Sequence, residues 1–118
     1  MSQLSKAESD RLVSIATNIA SELGISICQL SSIIGLSAAE LSNQTVETEL
    51  SGHTLVRISY LIRIYKALHQ LFTEPSQANA WLLRNNGHFN NRTALEVINE
   101  APDTNLKTVA EYLEYQLT

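Results

Sequence analysis

The chain has 118 residues, 44% of them apolar, and a formal net charge of −4. That length allows one small helical unit or two short lobes, and the apolar share excludes a low-complexity tail. No apolar run is long enough to span a membrane. The first residues lack a basic leader followed by an apolar stretch, so residence in the cytoplasm is expected. The lone cysteine, Cys28, cannot form an internal disulfide, and its apolar neighbours predict a small core residue.

Charge falls in three blocks. Residues 1–56 carry Lys6 and Arg11 against six carboxylates, Glu47 and Glu49 among them, and sum to −4. Residues 57–92 hold Arg57, Arg63, Lys66, Arg84 and Arg92 against Glu74, giving +4, and residues 93–118 return to −4. Overall acidity excludes a generic nucleic-acid coat, which must neutralise phosphates. The basic middle could serve self-association or an anionic site, or could be ordinary solvated surface.

Ser5 and Glu8 form a capping box, after which Leu12, Val13, Ile15, Ala16, Ile19, Ala20 and Leu23 recur at helical spacing. A helix over 6–23 follows, stopped by Gly24. Ser26 with Gln29, and Ser37 with Glu40, open two further helices across Gly35-Leu36-Ser37. Ile27, Leu30, Ile33 and Ile34 are the expected buried face of the first. Two short helices across a tight glycine turn have the organisation of a helix-turn-helix. The residues that would meet DNA are Ser37, Ser42, Asn43, Gln44 and Thr45. No Lys or Arg occurs from residue 12 to residue 56, so phosphate contacts would need Lys6, Arg11 or Arg57.

Ser51-Gly52-His53 reads as a break. The segment 54–72 then places Leu55, Ile58, Leu61, Ile62, Tyr65, Leu68 and Phe72 on one broad face, a central strut. Pro75 suits an early helical position, and Ala78, Trp81, Leu82 and Leu83 lead into a polar loop. There Gly87 suits a positive φ, which the neighbouring asparagines also tolerate, and Phe89 pins the loop inward. Thr93 and Glu96 form a fourth capping box, with Leu95 and Ile98 facing the core. Pro102 ends that helix, and a last one near 105–116 buries Leu106, Val109, Ala110, Leu113 and Leu117.

Catalytic and metal constellations are missing. No His-Glu-x-x-His element, cysteine pair, glycine-rich phosphate cradle or nucleophile elbow occurs, so neither an enzyme nor a cofactor is expected.

The order Trp81-Leu82, Asn85, Phe89-Asn90-Asn91-Arg92-Thr93-Ala94-Leu95-Glu96, within residues 64–115, resembles the toxin-binding domain of the Xre/MbcA/ParS antitoxins. Ala94 stands where proline is frequent. The resemblance implies an all-α protein with a degenerate Xre-like helix-turn-helix region over 1–53 and a helical toxin-binding domain over 54–118. It further implies a homodimeric antitoxin of a type II toxin–antitoxin pair that occludes a RES-domain toxin and represses its own operon by binding operator DNA. Trp81, Asn85, Phe89, Asn90, Thr93 and Glu96 would frame the signature loop, with Leu82 in the core. Arg92, Tyr112 and Tyr115 would meet the toxin. The alternative is a DNA-binding repressor without a toxin partner; a structural dimer recruited to another protein is a third.

Overall fold

Five serine or threonine side chains, those of Ser5, Ser26, Ser37, Ser51 and Thr93, set where helices begin. A computed structural model describes residues 5–46 and 50–118 of the chain; Glu47 and Glu49 of the first acidic block lie outside the described residues. Ser5, Ser26, Ser37 and Thr93 each accept a hydrogen bond from the amide three residues on, and the side chains of Glu8, Gln29, Glu40 and Glu96 each accept one from the amide of the capping residue. Each box satisfies amides that the first turn leaves orphaned.

The helices are α1 (Lys6–Leu23), α2 (Ile27–Ile34), α3 (Ala38–Asn43), α4 (Gly52–Leu71), α5 (Pro75–Ala80), α6 (Ala94–Glu100) and α7 (Pro102–Gln116). The fold is all-α, as expected, with one addition. A two-stranded antiparallel ladder, β1 (Asn85–Asn86) with β2 (Arg92–Thr93), pairs Asn85 with Thr93 and Asn86 with Arg92. Gly24 and Gly35 close α1 and α2 in the left-handed region, both at φ 79°, a conformation that costs glycine little.

α4 is the strut around which the rest is arranged, packed chiefly against α7 and also against α1, α2 and α5. Its buried residues are Thr54, Ile58, Leu61, Ile64, Ala67 and Leu68. All of these but Thr54 belong to one continuous core with Val13 and Leu23 of α1, Leu82, Ile98, and Leu106 and Val109 of α7. Ser51 is the N-cap of α4 and Gly52 and His53 are its first helical residues, so the expected break there is a helix start.

Three expectations are corrected by burial. Cys28 is exposed, because α2 makes only two turns and its buried residues, Leu30, Ile33 and Ile34, lie on the opposite side. Ile27 shares a face with Leu30 and Ile34 but is the first residue of α2, at the open end of the helix, and is exposed. Leu117 falls beyond the last turn of α7 and is also exposed.

The charge blocks meet in ion pairs at the surface of the fold. Arg57 pairs with Asp103, Arg63 with Glu114 at 2.9 Å through Nε, and Arg92 with Glu100 at 2.8 Å. Three of the five central cations are thus bound to carboxylates of the C-terminal block.

Candidate functional site

The tryptophan-to-isoleucine segment is a loop tied at both ends. Trp81–Leu83 forms a 3-10 turn after α5, directing Leu82 into the core while Leu83 stays exposed. At three residues per turn, successive side chains diverge by about 120°. Leu83 lies against the end of α1, where a Cβ added at Gly24 would meet its Cδ1 at 2.7 Å.

After β1, the Asn86 side-chain oxygen accepts from the His88 amide at 2.9 Å, and the Asn91 amide donates to the Asn86 carbonyl at 2.9 Å. The positive φ values here belong to Asn90 (59°) and Asn91 (63°). Gly87 lies outside the left-handed region and has open space around its missing side chain. Asparagine can occupy that region because its short polar side chain bonds locally. The expectation for Gly87 is thus corrected, and that for its neighbours stands.

Phe89, 8% exposed, anchors the loop. Its ring meets Trp81 edge-on at 6.3 Å and Tyr112 of α7 at 5.8 Å. Trp81 is stacked on Tyr112 at 6.3 Å, and His88 lies over the other side of this cluster, stacked on Tyr112 at 4.1 Å. Four rings from three separate segments form a platform whose outer members are half-buried or exposed. His88 belongs to it although the sequence offered no partner for it; its contact comes from α7, 24 residues further on. Such offset and edge-on pairs contribute about 0.5–1.5 kcal/mol each beyond area burial.

Behind the platform the loop is locked. The Thr93 amide donates to Glu96 Oε1 at 3.0 Å and the Glu96 amide to Thr93 Oγ1 at 3.1 Å, holding the Glu96 carboxyl below its usual range. Arg92 is bound to Glu100; their pairing holds the Glu100 carboxyl low and raises the guanidinium. Asn105 Nδ2 donates to the Val97 carbonyl at 2.6 Å and braces α6 against α7. Neither Asn105 nor the Arg92–Glu100 pair stands out at sequence level, because each joins residues eight apart across a turn. Of the expected toxin contacts, Tyr112 is in the platform, Tyr115 is 74% exposed one turn beyond, and Arg92 is half-buried. Asn85 and Asn90 are exposed at the two ends of the loop.

The expected DNA-reading side chains are placed differently. Ser37 is the N-cap of α3 and bonds to Glu40. Gln44, left-handed at φ 53°, accepts from Ser14 at 2.9 Å and donates to Thr17 at 3.2 Å. Thr45 donates to Asp10 at 3.1 Å and accepts from Lys6 at 2.9 Å. Only Ser42 and Asn43 are exposed without a described side-chain bond. Arg57, one of the cations that might have served phosphates, also donates to the Ile33 carbonyl at 3.3 Å. It offers a cation to the carbonyl end of α2, which favours positive charge.

Among the described residues no group of three or more His, Cys, Asp or Glu could hold a metal ion. No helix among them is long and apolar enough to cross a membrane. What the fold and platform define is an all-α binding scaffold, with an aromatic surface on a braced loop. Residues 67–116 match the family described as the antitoxin Xre/MbcA/ParS C-terminal toxin-binding domain, so this part of the chain is similar to that domain. The family is regulatory and not catalytic, in agreement with the expectation that the chain is no enzyme. The chain is also 33% identical over 67 residues to "Uncharacterized protein y4oB" of Sinorhizobium fredii (strain NBRC 101917 / NGR234). That stretch covers 57% of this chain and 52% of the relative, so the match spans about half of the relative's length. No solved structure matches the chain.

Proposed function

We propose that the protein is the antitoxin of a type II toxin–antitoxin pair, a homodimer that binds and occludes a RES-domain toxin in the cytoplasm. The carrying observation is the ring platform inside the family-matched segment. A braced loop presents His88 and Tyr112, with Tyr115 exposed beside them. Rigid aromatic residues bury much area at small entropic cost and commonly dominate interface energies. On this reading residues 54–118 hold the toxin, with Arg92, Tyr112 and Tyr115 in contact, while residues 1–53 form the Xre-like helix-turn-helix region. The toxin's chemistry resides in the partner, so this chain needs no cofactor.

Co-expression and pulldown with the product of the adjacent gene test the reading. Rescue of growth together with a stable complex is the expected result; neither rescue nor complex would rule it out.

The second reading, a DNA-binding repressor without a toxin partner, is favoured by α2 and α3 meeting across Gly35. Against it stand the inward bonds of Gln44 and Thr45 and the engagement of Lys6 and Arg57. Titrating the upstream DNA at low and moderate salt separates the two. We expect no specific retardation; tight binding lost on Asn43→Ala would favour the repressor.

A further inference from the structure

Asn86 is the one asparagine of this chain that is followed by glycine, and that pairing has chemistry of its own. The side-chain amide carbon of an asparagine can be attacked by the main-chain nitrogen of the next residue. In other residues a Cβ crowds that nitrogen; glycine has none. Nothing lies within 4 Å of where a Gly87 Cβ would stand, and Gly87 is exposed to water.

The fold sets two opposing conditions at this bond. Asn86 Oδ1 accepts from the His88 amide at 2.9 Å, which draws electron density from Cγ and makes it a better target. Closing a succinimide ring, however, needs the Gly87 nitrogen and the Asn86 Cβ to lie nearly eclipsed about the Cα–C bond. Asn86 is extended, with φ −130° and ψ 126°, which turns the nitrogen well away from Cγ. That conformation is held by the pairing of Asn86 with Arg92 and by the Asn91 amide, which donates to the Asn86 carbonyl at 2.9 Å. Reaction therefore proceeds from molecules in which the two-residue ladder has opened, a local event that costs less than global unfolding.

We propose that Asn86-Gly87 is a self-modification site, a deamidating pair within the platform loop, gated by the opening of β1 from β2. In the open loop the Gly87 nitrogen forms a bond to Asn86 Cγ and the Cγ–Nδ2 bond breaks. The proton of the Gly87 amide departs with Nδ2 as ammonia. Water then opens the succinimide at one of its two carbonyls. Attack at Cγ gives aspartate, and attack at the main-chain carbon gives isoaspartate; neither needs an oxidant or a cofactor.

The two products differ in consequence. Aspartate keeps an oxygen for the His88 amide and adds a negative charge. Isoaspartate routes the main chain through Cβ and lengthens it by an atom. The register of residue 86 with Arg92 is then lost, and with it the seating of His88 and Phe89 against Tyr112.

The test incubates the full chain in mildly alkaline buffer, where the Gly87 amide gives up its proton more readily, with and without denaturing urea. Peptides are mapped by mass spectrometry that separates aspartate from isoaspartate. Both acids should accumulate at residue 86 ahead of every other asparagine, in the folded protein and faster in urea. Gly87→Ala, where neither φ nor space opposes a Cβ, should keep the circular dichroism of the wild type. It should slow conversion at least about tenfold. Trp81, the sole tryptophan, packs against Phe89 and Tyr112. Its fluorescence should shift as isoaspartate accumulates and stay as in the fresh wild type in freshly prepared Asn86→Asp. No acid at residue 86 of the folded protein once the unfolded chain has converted overturns the proposal. So does earlier conversion at another asparagine, or a Gly87→Ala rate equal to that of the wild type. An unmoved Trp81 signal alongside isoaspartate overturns the consequence for the platform.

Discussion

Asn90 and Asn91 sit consecutively at positive φ, a conformation that costs a residue with an ordinary Cβ about 1–2 kcal/mol. Asn91→Ala should therefore lower stability by roughly that amount, and Asn91→Gly should not. Gly87→Ala should be nearly neutral, since neither φ nor space opposes it; urea unfolding of the three variants checks the ordering. At the platform, Tyr112→Ala removes a ring that touches Trp81, His88 and Phe89. It should cost roughly 1–3 kcal/mol of folding stability. Tyr115 is largely exposed, so Tyr115→Ala should leave stability within about 0.5 kcal/mol and weaken toxin capture. Unchanged capture would remove Tyr115 from the proposed contact.

Between elements, the ion pairs act on stability through pH. Glu114 is held below the ordinary glutamate value of 4.5 by its hydrogen bond to Arg63, and Glu100 is held low by Arg92. A depressed carboxylate contributes stability that is complete above its unfolded pKa and is lost as pH falls through the lower folded value. Stability should thus be level near neutrality and decline below about pH 4.5. Glu114→Gln should narrow the difference in unfolding free energy between about pH 7 and pH 3; an unchanged difference would show that the Arg63 pair contributes nothing to the folded state. Both partners are about two-fifths exposed, so water and salt screen the pair and the effect is modest. The capping boxes were legible because each is contained in four consecutive residues. The pairs joining α4 to α7 were not, because Arg57 and Arg63 lie 46 and 51 residues from their partners.

For the whole molecule, α7 is part of the core and not an appendage to it. Leu106, Val109, Ala110 and Leu113 are at most 1% exposed, and they cover α4. Sequence alone invites truncation after Asn105 as a test of toxin affinity that leaves the helix-turn-helix region folded. Given this burial, the truncated chain should instead lose cooperative unfolding and expose apolar surface, as circular dichroism melting and dye binding would show. A truncated chain that melts like the intact one would show that residues 5–46 and α4 hold together without α7.

The amino-acid sequence by itself determined the helices, their caps and the family signature, because periodicity, capping and loop chemistry are encoded within a few neighbouring residues. The two short helices on either side of Gly35 were visible in the same way, through two capping boxes. Tertiary structure alone decided which polar side chains remained available. Gln44, Thr45 and Arg57 are bound across 24 to 46 residues, His88 gains its place from Tyr112, and Cys28 falls on the outer side of a two-turn helix. Contacts of that separation arise only when the helices pack, since nothing in the local pattern records which face will meet which.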